Sequence, residues 1–490
     1  MLTIKIGGFI MKKTIRSVMC VFLCAVIALG CTGTAFAADS WSTYWKENST
    51  DIQNGIYVAP GHTESERIIT WYTDSAKDNF VAVSLNEKMT SAVTYSAAVT
   101  ETPQGDYSAE AYVNNLKLGE TYYYTCNSEG YTSSVYSFTT VEDKDFSALY
   151  VTDVHISYDD SGADPDAVMK QAGKFASVVS QAKQKADIDL IVSAGDQASL
   201  GRRDEYCGFA ASRDTKGTTV AILEGNHDRK NIDYRYFNAN PETDVKGVKS
   251  YIGGDYWFVK GDVLFMLMDG NNGDGVYHRR FMKDAVKSNP DVKWRVAMLH
   301  HDLLGGRIPN RESENKLLRL IWLPLMDEFS VDLVLMGHSH YYTMSNVVYK
   351  KKSVQSTKDI DKVVNPAGSI YMVSGSINRP RGVDPEDVPP VGENVGKYVD
   401  TDKVIYNVLD FSEDSIIIKS YYDGENTPFN TFTIVKDSQQ GGHPEAVFNP
   451  LNGIVRFIGK IYAFFNNFGI HSDLKKKYGI KLPLFSSALD

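Results

Sequence analysis

Two different hydrophobic rhythms divide the chain. Between residues 51 and 140, short runs alternate apolar with polar positions and are separated by turn residues: "RIITWYT", "NFVAVSL", "SAVTYSAAV", "YSAEAYVNNL", "TYYYTC" and "SSVYSFTT". Each is strand-length and none carries a helical period, so the spacing predicts a β-sandwich of about seven strands, with Trp71 and the tyrosines around Tyr122 in its core. After the charged joint "VEDKDF" the runs become continuously apolar: "SALYVTDVH", "DIDLIVSAGD", "TTVAILEGNHD", "KWRVAMLHH" and "VDLVLMGHSH". Continuous apolar runs belong to strands buried on both faces, and helical spacing from about Pro165 to Lys185 places a helix between the first two. This is the β-α-β order of a parallel sheet. From 403 to 436, "KVIYNVLDF", "SIIIKSYYDG" and "FNTFTIVK" read as closing antiparallel strands.

The two ends differ from both regions. Residues 11 to 37 have a basic start, an apolar stretch from Val18 to Leu29 and small residues at Ala35 and Ala37, the pattern of a secretory signal peptide cleaved after Ala37. Met11 is the expected start of translation, and the chain is expected to be secreted or held at the cell surface. Lipid attachment at Cys31 is the alternative. The expected organisation is thus a signal peptide over 1–37, a β-sandwich domain over 50–140, an α/β domain over 145–437 and a helical tail over 441–490. In that tail "IVRFIGKIYAFFNNF" places Phe457, Ile461, Phe464 or Phe465, and Phe468 on one helical face, which suits packing onto the preceding domain or association with a membrane or cell surface.

Charge and cysteine count narrow the functions. The formal net charge is −10, and the first 37 residues hold four basic residues and no acidic one, so their removal makes the chain more acidic still. General nucleic-acid binding is therefore not expected, although a local positive site could attract a phosphate. Three of the five cysteines lie in the signal segment. Cys126 and Cys207 remain, too few for a disulfide framework, and read as buried thiols.

The chemistry collects where the apolar runs stop. The runs end in Asp153 and His155; Asp196; Asn226, His227 and Asp228; His300 and His301; and His338 and His340. Ligand sites in α/β sheets form at the carboxyl ends of strands, so these groups are expected at one rim. Each fragment alone is a weak signal. The ordered set, D-x-H, G-D, G-N-H-D, H, G-H-x-H, resembles the calcineurin-like metallophosphoesterase superfamily over about residues 145 to 435. The closing strands of the first module, "LKLGETYYYTCNSEGYTSSVYSFTT", resemble a fibronectin type III module in the form that precedes purple acid phosphatases.

The resemblance implies a metallophosphoesterase-type β-sandwich flanked by helices and two metal ions, Fe, Zn or Mn. Asp153, His155 and His340 would hold one metal, and Asn226, His300 and His338 the other, with Asp196 bridging. These residue types suit such metals: imidazole binds transition metals, a carboxylate can bridge two, and an amide oxygen adds a ligand without charge. Gly337 is expected to let the backbone turn so that His338 and His340 face different metals. His301 is either a phosphate contact or a packed or solvent-facing residue. Arg379 and Arg381 in "GSINRPRG" are either an anion clamp or part of a plain surface loop. The chain departs from purple acid phosphatases at Ser199, where those enzymes carry a tyrosine ligand, at His155, and at Asp228, where they carry glutamate. Purple colour is not expected.

The implied activity is hydrolysis of a small phosphate ester by hydroxide generated on the metals. His227 would stabilise the transition state or protonate the leaving oxygen, with Asp228 fixing its tautomer. A phosphomonoesterase is favoured. A phosphodiesterase or nucleotidase using the same site, and a non-catalytic surface binding protein, are the alternatives.

Overall fold

The computed structural model describes residues 54–157, 165–241, 254–304, 312–382 and 393–437. The expected signal peptide with Cys31, and the expected tail helix, lie outside the described residues. Eight strands between Tyr57–Pro60 and Tyr136–Thr139 build the N-terminal sandwich. The buried side of each strand faces a core of Trp71, Val81, Val83, Ala109, Tyr124 and Phe138. Trp71 and Tyr122 are both buried, and the Trp71 indole N–H donates to Ser128 Oγ at 3.1 Å, which satisfies the one polar atom that its burial would otherwise orphan. Cys126 and Cys207 are buried and neither forms a disulfide.

The second region is a pair of facing sheets. In the first, Phe146–Val151, Ile188–Ser193 and Thr219–Ile222 run parallel, and Ile405–Phe411, Ser415–Tyr422 and Asn430–Val435 extend it antiparallel. In the second, Val263–Leu267, Trp294–Met298, Leu333–Met336 and Ile370–Val373 run parallel, with Tyr256–Lys260 and Tyr342–Ser345 antiparallel at either side. Alternate residues of each strand point to opposite layers. Tyr150, Leu190, Val192, Phe265, Val296 and Leu335 fill the space between the sheets. Leu149, Ile191 and Val220 point outward onto Val168, Phe175 and Val178 of the helix Pro165–Lys185. Leu264, Ala297 and Val334 point outward onto Phe281, Trp322 and Met326 of the helices Gly275–Ser288 and Glu312–Glu328. Both faces of every central strand are covered, which is why these strands read as unbroken apolar runs.

Two features were not read from the sequence. The five metal-motif strands belong to two sheets, three in one and two in the other, so the rim on which they converge is shared by both. The short strand Tyr57–Pro60 also leaves the sandwich to pair in parallel with Thr219–Ile222, while its other edge pairs with Arg67–Thr73. The sandwich and the α/β region therefore share one continuous sheet. Side-chain contacts reinforce the joint: Gln104 Nε2 donates to Asp233 Oδ1 at 2.9 Å, Ser108 Oγ to the Tyr236 carbonyl at 2.6 Å, and the Tyr57 hydroxyl accepts the N–H of Ala239 at 2.6 Å. Arg203 pairs with Asp106 and lies 3.9 Å over the Tyr72 ring.

Candidate metal centre

Each of these five parallel strands stops two to four residues before its polar group, and the backbone then bends sharply. Asp153, His155, Asp196, His338 and His340 all have positive φ, between 49° and 75°. Left-handed backbone is uncommon in non-glycine residues and collects at functional sites, because the surrounding structure must hold it there. The hold is visible: the N–H of Asp153 donates to the Gly195 carbonyl at 2.9 Å and the N–H of His155 to the Asp196 carbonyl at 2.9 Å. The expectation for Gly337 needs correction. The histidines themselves take the left-handed turn, and Gly337 is needed for closeness, since a Cβ there would lie 2.0 Å from Thr152 Oγ1 and 2.6 Å from Asp153 Oδ2. Gly225 is held to the same standard, with a Cβ falling 2.1 Å from Asp196 Oδ1.

These bends bring seven predicted side chains into one cluster. Around one point, His340 Nε2 lies 3.1 Å from Asp153 Oδ1 and 3.0 Å from His155 Nε2, and His155 Nε2 lies 3.7 Å from Asp153 Oδ1. Around a second, Asn226 Oδ1 lies 3.1 Å from His300 Nε2 and 2.8 Å from His338 Nδ1. Asp196 Oδ2 stands between them, 3.7 Å from His155 Nε2 and 3.2 Å from His300 Nε2.

The outer nitrogens show how the rings are aimed. His300 Nδ1 meets the Ala194 carbonyl at 2.8 Å and His340 Nδ1 the Arg379 carbonyl at 2.8 Å. A carbonyl only accepts, so each Nδ1 carries the proton and donates it; with the ring neutral, each Nε2 turns a lone pair inward. His155 Nδ1 meets Ser199 Oγ at 3.3 Å. Inward lone pairs from several imidazoles, beside buried Asp153 Oδ1 with no hydrogen-bond donor, repel one another unless a cation or, as on His300, a proton lies among them. The donor set therefore fits two transition-metal ions: two Asp/His triads within it, and a third that His155 and Asp196 form with His227, have ligand atoms within 4.8 Å of one another.

Electrostatics point the same way. Burial alone would raise the Asp153 and Asp196 carboxyls, yet the histidines beside them, His340 and His300 foremost, hold both well below the usual carboxylate range. Burial pushes His155 well below the usual imidazole value, leaving it neutral. Burial acts on His300 in the same direction, but Asp196 outweighs it and takes His300 to about 9 in the metal-free protein.

The remaining predicted residues fall into three positions. His227 stands beside the cluster, its ring centroid 4.7 Å from that of His155, and its Nδ1 lies 2.8 Å from the Ser199 carbonyl. Asp228 does not touch that ring. Its carboxylate accepts the backbone N–H groups of Asp196 and Gly225 at 2.8 Å and of Ala198 at 3.2 Å, and the Tyr206 hydroxyl at 3.1 Å. The expected role of Asp228 in setting the His227 tautomer is thereby corrected: the orienting acceptor is a backbone carbonyl, and Asp228 holds the Asp196 and Asn226 turns. His301 is buried with its ring 4.9 Å from that of His338, so the solvent-facing alternative does not hold. Arg379 is exposed at the rim, joined to the cluster through its carbonyl, and Arg381 is exposed further along the same loop.

Sequence reasoning missed Ser199 as a structural partner of both His155 and His227, and Lys230, whose Nζ lies 2.8 Å from His227 Nδ1. Lys230 follows G-N-H-D by two residues, and that adjacency was the available signal. "LMDGNN", residues 267–272, also ends an apolar strand in polar residues at this rim.

Comparison with known proteins agrees with this geometry. A model of the calcineurin-like phosphoesterase matches residues 146–342, and one of the purple acid phosphatase N-terminal domain matches 53–140. The chain carries a calcineurin-like phosphoesterase domain behind a purple acid phosphatase N-terminal domain. The chain's fold is shared with the purple acid phosphatase from yellow lupin seeds, with a TM-score of 0.65 at 15% identity, over 81% of this chain and 76% of that one. An uncharacterized protein of Mycobacterium tuberculosis is 25% identical over 121 residues, 22% of this chain, so the chain spans only 23% of that relative's length. A probable cyclic nucleotide phosphodiesterase of Fibrobacter succinogenes is 22% identical over 237 residues, covering 48% of this chain and 87% of the relative.

Proposed function

We propose that this phosphoesterase is a secreted, two-metal-dependent hydrolase of small phosphate esters, with monoesters preferred. The observation that carries the reading is the position of Asp196, one carboxylate shared between the His155 side and the His300 side of a single cluster. Two separate one-metal sites would not need it. Asp153, His155 and His340 would hold one cation and Asn226, His300 and His338 the other. Bound there, the pair would supply Lewis acidity for the phosphoryl oxygens and for an attacking water.

The chain's own side chains supply the rest. His227 Nδ1 faces both the Ser199 carbonyl and Lys230 Nζ; in the tautomer that donates to the carbonyl, with Lys230 as a neighbouring charge, Nε2 is the atom that exchanges a proton with the reacting oxygens. Lys230 beside it keeps positive charge at the rim, and burial, followed by Lys230, favours neutral His227 against the pull of Asp196. Arg379 adds a second cation at the mouth, where an incoming phosphate is attracted and oriented. The preference for monoesters rests on these two cations, which suit a dianion better than a monoanion.

One observation favours a second reading. The Fibrobacter succinogenes relative is a probable cyclic nucleotide phosphodiesterase, and a diester would use the same cluster. A purely adhesive role fits less well, because the sandwich shares its sheet with the metal rim and every ligand position holds a competent donor. Hydrolysis of p-nitrophenyl phosphate and bis-p-nitrophenyl phosphate after reconstitution with Mn, Zn or Fe separates the readings. Faster turnover of the monoester is expected, a diester preference favours the second reading, and no turnover of either substrate with any metal contradicts both. Secretion through residues 11–37 is tested by sequencing the N-terminus of the mature protein, with residue 38 expected first.

A further inference from the structure

His278 occupies the first turn of the helix Gly275–Ser288 and is fully buried, outside the metal cluster. Its Nδ1 lies 2.5 Å from Asp255 Oδ2 and its Nε2 lies 2.7 Å from the Asn272 carbonyl. A carbonyl oxygen only accepts. Asp255 Oδ1 accepts the backbone N–H of Asp269 at 2.9 Å, a bond that favours an ionised carboxylate, which also only accepts. A neutral imidazole has one N–H and would turn its other lone pair onto an oxygen. Both contacts are satisfied together when each ring nitrogen donates.

The groups facing this ring come from four elements. Asp255 precedes the strand Tyr256–Lys260, and Asp269, Asn271 and Asn272 follow the strand Val263–Leu267. Asp274 and Tyr277 belong to the start of the same helix, and Trp322 of the helix Glu312–Glu328 stacks at 4.4 Å. Burial and the positive end of the helix both oppose a charged ring, and burial also raises the Asp255 carboxyl against the pull of His278, but at His278 Asp255 outweighs burial and shifts the ring upward.

What the pair holds is a loop against the metal cluster. Asp269 Oδ1 accepts the backbone N–H and the Nδ2 of Asn271, at 2.9 and 3.0 Å. Asn271 Nδ2 also reaches the Glu224 carbonyl at 3.4 Å, two residues before Asn226. Gly270 lies so close to His301 that a Cβ on it would sit 2.9 Å from His301 Nδ1. The loop thus touches both the segment that carries Asn226 and the pair His300–His301.

We propose that His278 is a positioning residue: a standing imidazolium that, with Asp255, clamps the loop 269–272 and so fixes Asn226 and His300 for metal uptake. This rests on the two-metal reading of the cluster, and its test separates the two. In ¹⁵N NMR of the metal-free full chain, both ring nitrogens of His278 are expected at protonated shifts at a pH where a solvent-exposed histidine has lost its second proton. A deprotonated shift at either nitrogen overturns the proposal, whether or not any variant folds. In Mn²⁺ titration, His278→Gln, which can donate on one side only, is expected to bind about tenfold more weakly than the parent, with the far-UV circular dichroism kept. Gly270→Ala, which presses on His301 with the clamp intact, is expected to weaken binding likewise. Parental affinity in both variants overturns the clamp. A parent chain that takes up no Mn²⁺ removes the metal reading, and the clamp's purpose with it, while the NMR result still decides the charge of His278.

Discussion

The carboxylate of Asp228 accepts the backbone N–H of Asp196 at 2.8 Å, and through it the turn that aims the Asp196 carboxylate is tied to the turn that presents Asn226. Burial, together with the Asp196 carboxylate nearby, raises the Asp228 carboxyl above the usual range. Asp228→Ala leaves three backbone N–H groups without their acceptor and the Tyr206 hydroxyl with only the residue-228 carbonyl, at 3.4 Å. A loss of about 3 kcal/mol in unfolding free energy is expected, with weaker metal retention, read by denaturant unfolding and metal analysis. Full stability with altered turnover alone would return Asp228 to a role at His227.

His227 has no place among the seven clustered donors of the two-metal assignment and is held from outside by the Ser199 carbonyl. His227→Asn is expected to keep both metals and lower kcat about 100-fold or more, measured on p-nitrophenyl phosphate with metal content determined on the same sample. Unchanged kinetics would remove His227 from the reaction.

Glu205 is fully buried, and burial, opposed by the N–H groups of Arg202 and Leu200, raises its carboxyl to about 8. The folded state therefore keeps a proton that the unfolded chain releases at the ordinary value of 4.5. The Glu205 contribution to stability should be greatest below that ordinary value, fall as pH rises through the window up to about 8, and level off beyond it. Glu205→Gln should flatten this slope, by roughly 2 kcal/mol or more across the window, in urea unfolding followed as a function of pH. An equal slope in parent and variant would place the titration elsewhere.

Thr219–Ile222 is buried along its whole length and borders the sandwich through Tyr57–Pro60. A chain beginning at about residue 145 would expose that edge and lose the contacts from Gln104, Ser108 and Tyr57. Aggregation or a much lower melting temperature is expected. A stable, fully active fragment would show the sandwich to be an independent module.

The sequence made the site legible because its signal is local. Five apolar runs each lead into a side chain able to bind metal, and a strand buried on both faces announces its own end. The helix Pro165–Lys185 and the closing strands from Ile405 to Val435 were readable for the same reason. What could not be read depends on pairing between distant segments: that Phe146–Val151 and Trp294–Met298 lie in different sheets, and that four residues, Tyr57–Pro60, join the two regions. Roles decided by orientation were also hidden. G-N-H-D places Asp228 beside His227 in sequence, yet in a tight turn adjacent side chains diverge, and Asp228 faces backbone amides while His227 faces the rim. Gly337 reads as a hinge from its neighbours, but only the packing of Thr152 and Asp153 against it shows that space is what it provides.

The account stands on two cations sharing Asp196, and elemental analysis of the purified, reconstituted protein tests it most directly. About two transition-metal ions per chain are expected, falling by at least half in Asp196→Asn. A parent protein that takes up none, or an Asp196→Asn protein that keeps the full complement, would contradict it.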